Sequence, residues 1–263
     1  MVRIALGLEY DGSHFHGWQR QSVLSSVQET LEIALSQIAE EPISTICAGR
    51  TDKGVHATAQ VVHFDTIAKR RAAAWVLGVN TLLPRSVRVL WGAEVDAHFD
   101  ARRSAVSRCY RYIIYNHHIR PSLFRNYVSW IYKKLDVQKM REATQYWIGE
   151  LDFSSFRATR CQSHSSFRKV HSIEITRQGC QVILEFKANA FLHHMVRNMA
   201  GVLIEIGSGE RPVTWAKEVL EKRDRKAGGI TAPATGLYLI DVQYSSAFTL
   251  PKADVTPWFL SLV

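Results

Sequence analysis

The order of elements along this chain predicts an α+β fold made of two halves, each of the β-α-β-β-α-β, ferredoxin-like kind. Three observations predict it. Apolar residues alternate strictly at the start, they recur at helical spacing after Ser26, and the same order of strands and helices returns beyond residue 104. Val2, Ile4, Leu6, Leu8 and Tyr10 fall on one face, as a half-buried strand requires. The polar turn DGSHFHGWQRQ follows. Ser26 and Glu29 then form a capping-box pattern, in which hydroxyl and carboxylate satisfy free amides at a helix start. Val27, Leu31, Leu35 and Ile38 line one face of that helix, which Pro42 stops. A short strand, ISTICA, enters the glycine-bracketed loop GRTDKG. A strand over 59–64, a helix over 69–82 ended by Pro84, and a strand over 87–95 complete the first half.

The second half repeats the order. Strands are expected over 108–115, 168–176 and 181–188, with a helix from Asp136 to Trp147 between the first two. An apolar helical stretch over 191–206, a shorter helix after Pro212 and a last strand over 237–244 close it. The halves are 1–104 and 105–263, and they show no clear sequence repeat. No low-complexity linker separates them, so antiparallel, RRM-like sheets flanking a central cleft in one rigid body are expected.

Composition narrows the function classes. Apolar residues make up 46% and charged residues 22%, enough core and too little charge for bulk disorder. No run of about 18 apolar residues suggests a membrane span. The opening MVRIALGLEYDG is too short an apolar run for a secretory signal, so a cytoplasmic location is expected. Cys47, Cys109, Cys161 and Cys180 form no CxxC pair, which points to reduced thiols. The net charge of +9 favours a polyanionic partner, nucleic acid first.

The segment Ala48 to Ala57, AGRTDKGVHA, places one carboxylate, Asp52, between glycines and beside Arg50 and Lys53. Nearby cations favour the ionised carboxylate of a base or nucleophile. The same residues also suit a plain hairpin turn, where Asp and Gly are common for local reasons. The tripeptide alone does not separate the two readings.

GRTDKGVHA resembles the signature of the tRNA pseudouridine synthase A family, usually GRTDxGVHA. EYDGSHFHGWQRQ, SVQETLE, RCYRYIIYN, DFSSFR, NAFLHHMVRNMAG and ATGLYL resemble further family blocks, in the family's order, from about Ile4 to Tyr244. Lys53 stands where the family more often has alanine. The resemblance, carried by these blocks, implies an isomerase that converts uridine to pseudouridine in the anticodon stem-loop of tRNA, at positions 38, 39 and/or 40. It implies Asp52 as the catalytic carboxylate, Tyr110 as the active-site tyrosine and Arg197 as the arginine that pairs with Asp52. Read without it, Tyr110 is better explained as a packed strand tyrosine and Arg197 as a helix-surface cation. The reaction breaks the N-glycosidic bond, turns the base and joins C5 to C1′. No electron or group carrier is consumed, so no cofactor is expected. One carboxylate can add covalently or remove a sugar proton, and the residues do not choose between these.

A uridine in a stem must leave the stack before it can react. The resemblance implies that Arg50 enters the helix in its place, and that the protein is a homodimer touching one tRNA with both subunits. Trp18, Gln19 and Arg20 join an aromatic plane to a cation, a mix suited to RNA, and Lys53, Arg102, Arg103, Arg108 and Arg111 add charge. A metal site is not expected: His193 and His194, adjacent in the expected helix, point about 100° apart, and His14, His16 and His56 show no ligand spacing. Two other classes compete. A non-catalytic RNA-binding protein calls for an RNP1-type aromatic run, which VVHF and RCYRYII match poorly. A metal-dependent hydrolase calls for ligand pairs that the sequence lacks.

Overall fold

The computed structural model describes residues 1–159 and 161–251. The described residues form two compact units, one holding Met1–Arg108 together with residues 238–251, the other Cys109–Leu237. The last strand, expected in the second half, therefore lies with the first unit. Residues 252–263 of that expected half lie outside the described residues.

In the first unit the order is strand β1 (Val2–Tyr10), helix α1 (Val27–Ala39), short strand β2 (Ile46–Cys47), strand β3 (His56–Thr66), a π-helical turn Ala74–Gly78 running into helix α2 (Val79–Leu82), and strand β4 (Val87–Val95). The strands stand in the order β4-β1-β3, all antiparallel, and β2 pairs with the other edge of β3. This is the expected ferredoxin-like order. Leu6, Leu8, Leu31, Leu35, Val62 and Phe64 form the core between sheet and helices. The opposite face of β1 was expected in solvent, yet Ala5 is also buried. It packs with Val61, Phe99 and Ala101 beneath Trp91, Tyr244 and Phe248. The sheet of this unit is thus covered on both faces, which one alternating strand cannot reveal.

Helix α1 starts where the capping pattern predicts: the Ser26 hydroxyl accepts from the Glu29 amide at 3.3 Å. Removing it in Ser26→Ala is expected to cost about 1 kcal/mol, read as a lower urea midpoint with an unchanged slope. The strand expected over ISTICA shrinks to two residues. The Thr45 amide and hydroxyl bond the Glu32 carboxylate at 2.7 and 3.0 Å, and the Ile43 amide bonds the Ser36 hydroxyl at 2.9 Å. Side chains of α1 take the hydrogen bonds that a strand neighbour would otherwise supply. The helix expected from residue 69 starts late for a related reason. Arg70 bonds the Ile38 carbonyl at 2.9 Å and pairs with Glu40, and so caps the end of α1.

The second unit comprises strand β5 (Ala105–Asn116), whose residues through Arg108 belong to the first unit, strand β6 (Ser129–Ile131), helix α3 (Val137–Thr144), strands β7 (Gly149–Asp152), β8 (Phe167–Gln178) and β9 (Gln181–Ala188), and helices α4 (Met195–Gly207) and α5 (Trp215–Lys222). The strand order is β5-β9-β8-β7, with β6 parallel to β5. Asp136 caps α3 by accepting from the Gln138 and Lys139 amides. Tyr112, Met140, Trp147, Phe153, Phe156, Phe186 and Met199 fill the core, and the Trp147 indole donates to the Ala216 carbonyl at 3.0 Å. Strands β6 and β7 are too short to show a period and were not foreseen. The last strand, β10 (Leu237–Tyr244), runs parallel to β3, with Tyr238 opposite His56 and Leu239 opposite Ala57.

Candidate active site

Asp52 sits half-buried in a tight turn between β2 and β3. Its carbonyl accepts from the Val55 amide at 3.1 Å, with Lys53 exposed at the tip. Gly54 has φ +79°, the left-handed geometry a type II turn demands at its third residue. A plain hairpin turn would need only this much. Here each flank of the loop is also held by segments distant in sequence. The Gln60 amide clamps Gly49 at both ends, accepting from its N–H at 3.3 Å and donating to its carbonyl at 2.6 Å. The Thr51 hydroxyl lies 2.8 Å from the Tyr10 phenol oxygen, and the Thr51 carbonyl accepts from the Trp18 amide at 3.0 Å. Arg108 donates to the Ala48 carbonyl at 3.0 and 3.2 Å.

Two glycines of the N-terminal loop press against the same turn. A Cβ on Gly12 would fall 1.9 Å from the Val55 carbonyl oxygen, and one on Gly17, which has φ +98°, 2.9 Å from the Thr51 oxygen. Backbone meets backbone on both sides of Asp52, which is why DGSHFHGW carries glycine at these positions.

The residues expected around Asp52 divide by role. Arg50 and Gln19 are exposed on the same unit. Trp18 is 1% exposed and tilted against Tyr10 at 5.9 Å, so its ring is a wall and not an open stacking face. Arg20 pairs at 2.6 Å with the buried Glu32, which ties it to α1. Arg108, expected as an RNA contact, is buried and also donates to the Ala105 and Arg102 carbonyls. Its guanidinium braces the loop from inside the protein. Gln60, fully buried, was missed; a lone amide inside an otherwise apolar stretch of β3 was the signal available.

In the second unit, Tyr110 lies on β5, 7% exposed, with the Phe191 ring edge-on at 5.1 Å. Arg111 is paired with Glu185. The Arg197 guanidinium donates to the Ala232 carbonyl at 2.9 Å, and its own carbonyl accepts from the Ala232 amide. The neighbouring Tyr112 is a core residue: its hydroxyl meets Ser129 and Pro233, and burial pushes its phenol well above the usual range. The helical argument made for His193 and His194 fails. Helix α4 begins only at Met195, His194 is its left-handed cap at φ 64°, and the two rings are 4.1 Å apart.

Cys47 lies buried beside the loop. Burial, opposed by Arg50 and Arg102, pushes its thiol up to about 12. At pH 8 iodoacetamide is expected to label the exposed Cys180 and leave Cys47 intact in the native protein, read by peptide mass spectrometry.

Among the described residues, no helix is long and apolar enough to cross a membrane. A family model described as tRNA pseudouridine synthase matches residues 8–102 and 143–245. The tRNA pseudouridine synthase A of Shewanella sp. (strain MR-4) is 55% identical over 259 residues, covering 98% of this chain and 99% of the relative. That of Pseudomonas aeruginosa is 54% identical over 260 residues, covering 98% and 91%, and that of Legionella pneumophila (strain Corby) 53% over 259, covering 98% and 99%. With similarity running through the Asp52 loop and over nearly the whole length, the chain belongs to the tRNA pseudouridine synthase family, isomerases that act on uridine in tRNA.

Proposed function

We propose that Asp52 is the carboxylate that drives this isomerisation on uridines of the anticodon stem-loop, at the expected positions 38, 39 and/or 40 of the tRNA, after the base has left the stack. The observation that supports this reading most is the clamping of the Asp52 turn by Gln60, Tyr10, Trp18 and two close-packed glycines. A carboxylate acting on a sugar must be held to a fraction of an ångström, and a solvent turn needs no such support.

In this reading an Asp52 oxygen acts on the ribose beside the N-glycosidic bond, by adding to it or by taking a sugar proton. The N1–C1′ bond breaks, the uracil turns and C5 bonds to C1′. The C5 proton is lost and N1 gains one, so substrate and product have the same composition and no carrier is required. Tyr110 handles the base and its C5 proton, and Arg197 pairs with Asp52 and fixes its rotamer; both roles rest on the family motifs RCYRYIIYN and HHMVRN. Arg50, exposed two residues before Asp52, enters the stack as the base leaves. Lys53, exposed at the tip of the turn, meets the backbone. The protein works as a cytoplasmic homodimer.

Tritium release from C5-labelled uridine in unmodified tRNA tests the reading, with the product mapped by nucleotide. Release from the anticodon stem-loop supports it. Release from another arm alone would leave the chemistry and remove the proposed target.

A further inference from the structure

Next to the Asp52 loop, and wholly within the first unit, lies a half-open cavity of about 280 Å³. Trp18 and Cys47 wall it, Gln19 and the edge of β2 at Ile46 flank it, and Arg50, Arg102 and Arg103 surround it. Its carboxylate, Asp100, is already engaged, accepting from the Arg102 and Arg103 amides at 2.9 and 2.8 Å. That bond fixes the backbone from which both arginines project. Arg102 and Arg103 are exposed, and among the described residues neither guanidinium has an ion-pair or hydrogen-bond acceptor. The Cys47 thiol beneath them is neutral. The cavity therefore carries surplus positive charge and guanidinium donors without acceptors, flanked by a neutral amide side chain and an exposed strand edge.

We propose that this cavity is a nucleotide subsite that takes one phosphate and its nucleoside from the tRNA strand carrying the reacting uridine. Guanidinium forks match phosphate oxygens, and the volume is near the lower end of small-ligand pockets, roughly 300 Å³, so it admits one nucleotide and not a duplex. Position decides which nucleotide. Arg50 lines the cavity and lies two residues from Asp52, a span of at most about 7 Å along the chain. A strand with its uridine at Asp52 thus places a phosphate one or two nucleotides away in the cavity. Arg102 and Arg103 become positioning residues that set the register of the strand. The inference rests on tRNA as the substrate and on Asp52 as the reacting group.

The double variant Arg102→Gln/Arg103→Gln tests it, beside Lys222→Gln/Lys226→Gln, which removes equal charge from exposed positions on the other unit. The pocket variant is expected to raise the Kd for tRNA about tenfold or more at 0.1 M salt and to lower the slope of log K against log salt by about 1 to 2. A neutral methylphosphonate placed one or two nucleotides from the target uridine should weaken binding to wild type and have no further effect on the pocket variant. Equal losses in both double variants, or unchanged affinity in the pocket variant, would overturn the proposal. Saturable binding of free UMP that the pocket variant loses without losing tRNA affinity would overturn it too, and assign the cavity to a free nucleotide. Repeating the binding measurements in Asp52→Asn protein separates the two readings: turnover by that variant sinks the role of Asp52 and leaves the Kd comparison intact.

Discussion

Asp52→Asn is expected to lose at least about 10⁴-fold in kcat while keeping its fold and binding tRNA within a few-fold of wild type. The argument is geometric. The turn is closed by the Asp52 backbone carbonyl, and the neighbouring hydrogen bonds are made by Gly49 and Thr51. Asparagine keeps all of these and nearly the same volume. It removes the charged oxygen that would attack carbon or accept a sugar proton, and with it the charge that Arg197 would pair with, while the backbone hydrogen bonds of the turn stay. Single-turnover tritium release with excess protein reads the chemical step, and filter binding reads the affinity. Release at the wild-type rate would show that the carboxylate is structural and that the clamped turn serves binding alone.

How far the sequence exposes this arrangement depends on the range of the interactions. Strand β1 and helix α1 are legible because alternation and capping are local patterns, and both appear at the expected residues. The Asp52 loop is legible as a motif for the same reason: its glycines and charges are neighbours in the chain. What holds the loop is not. Gln60, Tyr10 and Arg108 come from three different strands, and nothing nearby in sequence says that their polar groups turn toward Gly49, Thr51 and Ala48. ISTICA looks like a strand until the Glu32 and Ser36 side chains take its amides. Arg20, Arg70 and Arg108 contribute to a basic composition that suggests RNA, yet each is committed to a protein partner. Charge counted along a chain does not distinguish a cation facing solvent from one bracing a backbone. Arg102 and Arg103 are exposed and have no hydrogen-bond or ion-pair acceptor among the described residues, yet in the sequence they look no different from the arginines that are committed.

Gly12→Ala is the second substitution with a large expected effect, although it touches no group that meets the substrate. The added carbon would lie 1.9 Å from the Val55 oxygen and 2.5 Å from the Val55 carbonyl carbon, contacts that no side-chain rotation relieves. One backbone segment must retreat, and Val55 closes the turn by its bond to Asp52. A displacement approaching 1 Å at a reacting group costs about 100-fold in rate, so kcat is expected to fall by about that factor. The buried core residues Leu6, Leu8, Leu31 and Leu35 are unchanged, so a cooperative melt should persist at a somewhat lower temperature. Gly17→Ala is expected to act in the same direction from the other flank, through the Thr51 oxygen and a positive φ that alanine resists. Large losses at 12 and 17 with a retained melt would show that the rate depends on where the N-terminal loop holds the Asp52 turn. Wild-type rates in both variants would mean that the turn tolerates movement and that its clamps serve stability alone.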